Sequence, residues 1–371
     1  MERPVRCSKM PVEIAVAVAL AAAVWAMPAR AGFPVRGMLE LTLDGRQIEG
    51  TPLAFNRDEV HLLARDGRLW TFDPAKATDY RKTSSRFQSY SISELRAILL
   101  RELGKRYEVS GTSHYLVAHP RGQRDLWARR FEDLYRSFVH YFSVRGFKLS
   151  RPEFPLIGIV CHNRQEFFRQ TANHGAPAGP GILGYYLLDS NRIILYDVGA
   201  GRSDADQWQQ NASIVIHEAT HQTAFNTGIH SRYTPPPVWV AEGLATMFEA
   251  PGVYDSRFYT RRSDRVNRFR LEQFKELVVP EHRPELPASL IASDRLFQLH
   301  PAAAYAEAWA LTFYLVETQP RRYADYLART AQRPPFTDYT AAERTADFTA
   351  VFGDDWRMLE ARFLRFMAGV K

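Results

Sequence analysis

Two histidines four residues apart, His217 and His221, with Glu218 directly after the first, constrain the fold more than any other feature of the 371 residues. In NASIVIHEATHQTAFNTG, Ile214, His217, His221 and Phe225 fall on an i, i+3, i+7, i+11 line, which is one face of a helix, and Gly228 stands where such a helix ends. Residues four apart in a helix point the same way, so both imidazoles can direct a ring nitrogen at one ion. Glu218 is turned about 100 degrees from His217, beside the ion and not on it. A general base for an attacking water belongs there.

Such a pair arises by chance too often to stand alone, and a tetrahedral zinc that keeps an open position needs one more protein ligand. The metzincin pattern wants Gly at 224 and His at 227, and the chain has Ala224 and Thr227. After the turn-forming SRYTPPP, VWVAEGLATMFEA reads as a second helix that starts on prolines. Its Glu242 lies 21 residues after His221 and returns to the ion if the second helix packs against the first.

HExxH followed by a helical ExxA, here Glu242-Gly243-Leu244-Ala245, resembles the gluzincin class of zinc metallopeptidases. The fuller text, HEATHQTAFNTG and then PVWVAEGLATMFE, is similar to a bacterial branch of peptidase-like proteins labelled a domain of unknown function. The similarity runs over residues 155 to 320, while YADYLAR and FGDDWRMLEARF resemble the family's closing helices loosely. The resemblance implies one zinc ion on His217, His221 and Glu242, with Glu218 as base and a peptide or protein as substrate. It departs at Thr246, where some gluzincins carry an acidic residue that orients a histidine. Glu249 is then a candidate partner for a ligand histidine and a rival ligand. Related families tend to place a functional tyrosine where Tyr305 opens YAEAWALTFYL; core packing is the other reading of that ring. His230, His174 and His300 are alternative donors to a developing oxyanion.

Around this motif the expected fold class is α+β. MLELTLDGRQIEG and VHLLARDGRLWTF each alternate apolar residues about a DG turn, which predicts two hairpins in a small β domain over residues 32–85, with polar ATDYRKTSSRFQSY as its boundary. A zincin-like α/β subdomain with a mixed sheet and the metal helices is expected over 86–250. In it Ser93 caps a helix through Leu103, HYLVAHP and LIGIVC are strands, and Leu126, Phe131, Leu134, Phe138 and Phe142 mark the core face of a longer helix. YYLLDSNRIILY is expected to form two strands about a Ser-Asn turn, and residues 251–371 a mostly helical subdomain.

Residues 1–31 have a basic start, an apolar Ala/Val run and Ala29-Arg30-Ala31, the signature of a cleaved secretory leader, which predicts an exported, periplasmic or secreted chain, or a membrane-anchored one if uncleaved. No later segment is apolar enough to span a membrane. Removing the leader takes Cys7 with it and leaves Cys161, in an apolar run, as a buried inert thiol. It also lowers the formal charge from +7 to +5, since the leader holds four basic and two acidic residues. With basic residues scattered in short pairs, no nucleic-acid partner is expected. Two other functions stay open at this level: a non-catalytic envelope protein that keeps the scaffold for binding or assembly, and a zinc amidase acting on cell-wall material.

Overall fold

The computed structural model describes residues 37–123, 127–176, 178–179, 181–199, 204–281 and 286–371. The expected leader and Leu126 lie outside them.

Five antiparallel strands open the chain: β1 (Met38–Leu43), β2 (Arg46–Phe55), β3 (Val60–Ala64), β4 (Leu69–Phe72) and β5 (Ala77–Ser84), ordered β4-β3-β2-β1-β5. The two expected hairpins are β1–β2 and β3–β4. β5 corrects the reading of ATDYRKTSS as a boundary: it is an edge strand paired with β1. Most of its side chains face solvent, so it lacks the apolar alternation that marks a half-buried strand and is held by its backbone ladder.

The second sheet combines β6 (Tyr107–Gly111), β7 (Tyr115–Pro120), β8 (Leu156–Cys161), β9 (Gly184–Leu187) and β10 (Arg192–Tyr196) in the order β6-β7-β8-β10-β9. β7, β8 and β10 run parallel, with β6 and β9 antiparallel on the two edges. Alternate residues of β8 reach opposite cores, Leu156 and Val160 on one face, Ile157 and Ile159 on the other. A sheet covered on both faces explains why LIGIVC is apolar throughout.

One face carries α1 (Ile92–Leu103) and α3 (Arg164–Asn173), the other α2 (Trp127–Ser143). The cap of α1 is Ser91 and not Ser93, because only Ser91 stands three residues before Glu94, and the two form a reciprocal capping box. Phe131, Leu134, Phe138 and Phe142 are buried as their spacing predicts.

After β10 come α4 (Asp204–Thr227) and α5 (Val238–Phe248), then α6 (Arg268–Gln273), α7 (Pro301–Thr318), α8 (Pro320–Ala331), α9 (Ala341–Phe352) and α10 (Trp356–Ala368). A single buried cluster joins the α2 face of the sheet to α5, α7 and α10. α7 is buried on nearly every side, and α5 lies on it with Gly243 at the contact. A Cβ at Gly243 would stand 2.6 Å from the Ala308 carbonyl oxygen and against the Thr312 hydroxyl, so only glycine permits this approach.

The N-terminal sheet is stitched to the second sheet at the turns. The Leu69 N–H donates to the Asp189 carbonyl at 2.7 Å, and the buried Arg232 guanidinium donates to the carbonyls of Gly67, Leu188 and Asp189. No helix of the described residues is long and apolar enough to cross a membrane.

Candidate metal centre

α4 and α5 return against one another as the spacing of Glu242 from His221 requires. His217 Nε2 lies 3.1 Å from His221 Nε2 and 3.2 Å from Glu242 Oε2, and His221 Nε2 lies 3.4 Å from the same oxygen. Zinc bonds of about 2.0–2.1 Å in a tetrahedron set ligand atoms about 3.3 Å apart, so the three donors already stand at ligand spacing. The donor set, two imidazoles and a carboxylate, could hold a metal ion.

Glu249 settles where the partner lost at Thr246 has gone. Its Oε1 accepts from His217 Nδ1 at 2.8 Å, on the side of the ring away from the donor cluster, so it orients His217 and does not compete as a ligand. A carboxylate can only accept, which puts a proton on Nδ1 and aims the Nε2 lone pair toward His221 and Glu242, where an ion could sit. Asn267 holds Glu249 in turn, donating from Nδ2 to Glu249 Oε2 and to the Thr246 carbonyl, while its Oδ1 caps α6. Thr246 itself turns back to the Glu242 carbonyl. Burial pulls the His217 imidazole down, but the Glu242 and Glu249 carboxylates outweigh it and raise its pKa. Burial pushes the Glu242 carboxyl up, and His221 and His217 reverse this and hold it well below the usual range.

Glu218 is buried beside the cluster, and its Oε2 accepts the Tyr186 N–H of β9 at 2.7 Å. Burial pushes its pKa up, against the pull of His217 and His221. α4 comes this close to the edge strand because residue 184 is glycine; a Cβ there would meet Ile214 Cγ2 at 2.6 Å and Glu218 Cγ at 3.1 Å.

Tyr305 lies over the cluster, its ring 6.4 Å from that of His217, and packs edge-on against Phe297 at 5.4 Å. Burial raises the pKa of its hydroxyl, and the nearby Glu242 and Glu218 raise it further, so the O–H remains a donor. The other three histidines are placed elsewhere. His174 ends α3 near Arg68 and Glu102, His300 is exposed at the start of α7, and His230 is buried against Phe225.

These groups floor a cleft of about 910 Å³, walled by Gly184, Tyr185 and Tyr186 of β9 on one side and by Phe269, Arg270 and Tyr305 on the other. Sequence reasoning missed Asn267 and Arg270. An Asn before RFRLEQ does carry an N-cap signal, but its second bond, to Glu249, depends on the fold.

The sequence profile of a family described as a protein of unknown function (DUF1570) matches residues 211–337. That stretch includes His217, Glu218, His221, Glu242, Glu249, Asn267, Arg270 and Tyr305. No protein of curated function matches the chain.

Proposed function

We propose that the chain is a zinc-dependent hydrolase that cleaves peptide bonds. The observation that carries this reading is the convergence of His217, His221 and Glu242 at tetrahedral ligand spacing, with Glu218 beside them, on the floor of a cleft walled by a sheet edge. A zinc ion held by these three residues supplies a Lewis acid and brings the pKa of a water toward about 7. Glu218, pinned by the Tyr186 N–H, takes the proton of the attacking water and delivers it to the leaving amine. Its raised pKa suits both halves of that task. Tyr305 keeps its proton and donates it as a hydrogen bond to the developing oxyanion. The outer edge of β9 gives an extended peptide a backbone to lie along. In this reading the leader places the reaction outside the cytoplasm.

Zinc analysis of the purified chain, paired with Glu218→Gln on a mixed peptide library, tests the proposal. One zinc per chain is expected in both proteins, with cleavage slower by about 10²–10⁴-fold in the variant. Stoichiometric zinc without any cleavage that separates the two would leave a metal-holding binding protein. Release of amines from cell-wall material alone would make it an amidase, and absence of zinc would remove the metal centre altogether.

A further inference from the structure

Apart from the two histidines of the donor cluster, Arg270 is the single basic side chain among the described residues that line the cleft. It projects from α6, whose N-cap Asn267 also holds Glu249, so it is fixed to the same support as His217. Its guanidinium lies 5.0 Å from the centre of the Tyr305 ring, one aromatic ring away from His217. Nη1 donates to Gln273 at 2.8 Å, which sets the plane of the group. Nε is buried with no acceptor, and no carboxylate stands within ion-pair distance among the described residues. A buried N–H left without an acceptor beside a half-exposed guanidinium is a place where an incoming anion gains a bond.

The segment that carries Arg270 has the same sign. The run SRFYTRRSDRVNRFR, residues 256–270, sets Arg257, Arg261, Arg262, Arg265, Arg268 and Arg270 against the lone Asp264. Glu317 takes up Arg262 and Arg265, while Arg257, Arg261 and Arg268 are exposed, and Phe269, which lines the cleft beside Arg270, is 60% exposed.

We propose that Arg270 seats a carboxylate of the substrate, making the enzyme selective for peptides that carry a negative charge near the scissile bond. This rests on the reading of the cleft as a peptide-cleaving site. The carboxylate has two sources, an acidic side chain or the chain's own C-terminus, and a fork-shaped guanidinium pairs with either through two parallel bonds. Arg270 is a positioning residue: it holds the peptide and takes no part in the proton transfers.

Four matched peptides test the idea, with Glu or Gln at the varied position and a free acid or an amide at the C-terminus, given to the zinc-loaded full chain. The wild type is expected to prefer carboxylate-bearing peptides by about 10–100-fold, mainly through KM, and Arg270→Gln to bring that ratio toward one, with Arg270→Lys between. A preference that follows Glu over Gln assigns the side chain; one that follows acid over amide assigns the C-terminus. Equal loss on all four peptides, or a wild type without preference, overturns the proposal. Binding of fluorescent versions of the same peptides to zinc-loaded Glu218→Gln, with and without Arg270→Gln, provides a readout that needs no turnover. Charge-selective binding that depends on Arg270, with no cleavage by the wild type, would sink the peptidase reading and keep the carboxylate seat. Cleavage of neutral and acidic peptides alike would do the reverse.

Discussion

His217 and His221 sit one helical turn apart and rest on unlike surroundings. Behind His217 runs a polar relay from Glu249 to Asn267 and on to the cap of α6. On the flank of His221 lie Phe225 and His230, and both ring nitrogens of His230 lack a partner among the described residues. Burial, reinforced by the neighbouring His221, takes the His230 pKa down to about 3, so this imidazole is neutral and packs as an apolar ring. The His217 ring is oriented by charge and hydrogen bonds, whereas a packed apolar pair lies beside His221. The two flanks should therefore fail differently, the first by losing metal and the second by responding to acid.

Cutting the relay at its first link is the larger disruption. Glu249→Ala leaves the ligand set whole but frees the His217 ring and its tautomer, so zinc affinity should fall by about 10–100-fold in a competition titration against a chelator. Asn267→Ala, one step further out, should fall in the same direction by less. An unchanged affinity in Glu249→Ala would show that the ring needs no relay and that the two flanks are equivalent.

The first flank can also be disturbed from behind. Gly243→Ala gains helix propensity of about 1 kcal/mol but drives a methyl into the Ala308 carbonyl, which is backbone and cannot turn aside. Overpacking of this kind costs about 1–3 kcal/mol, so the clash should win and the variant should unfold at lower denaturant. The displaced α5 carries Glu242, so zinc affinity should drop as well. A variant as stable as wild type would mean that α5 and α7 can separate without cost.

The parts of this architecture that repeat locally were open to reading. HEATHQ and its helix, the two DG hairpins and the apolar strands each show their period within about ten residues, and Glu242 followed from the same helical logic. β5 was hidden because its side chains point to water and its partner strand is about forty residues away. Glu249 could be named as a candidate but not assigned, since ligand and partner differ only in which face of the His217 ring they meet. Arg270 sits among five other arginines of one short run, and nothing in that run shows that it alone enters the cleft. His230 looks like a loop histidine until the fold buries it.

The packed flank supplies an effect confined to acid. The unfolded chain protonates His230 near its ordinary pKa of about 6.5, whereas the folded chain resists down to about 3. Below pH 6.5 the unfolded state binds the extra proton, so stability is lost as pH falls through this window and changes little above it. The limiting slope for one such site is about 1.4 kcal/mol per pH unit. His230→Leu keeps an apolar group in the space and removes the titration, so denaturant midpoints between pH 7 and pH 5 should shift less than in wild type at equal zinc loading. Metal loss on acidification is common to both proteins and cancels in the difference. If the two proteins lose stability in parallel, His230 is hydrated and bonded, and the second flank is as polar as the first.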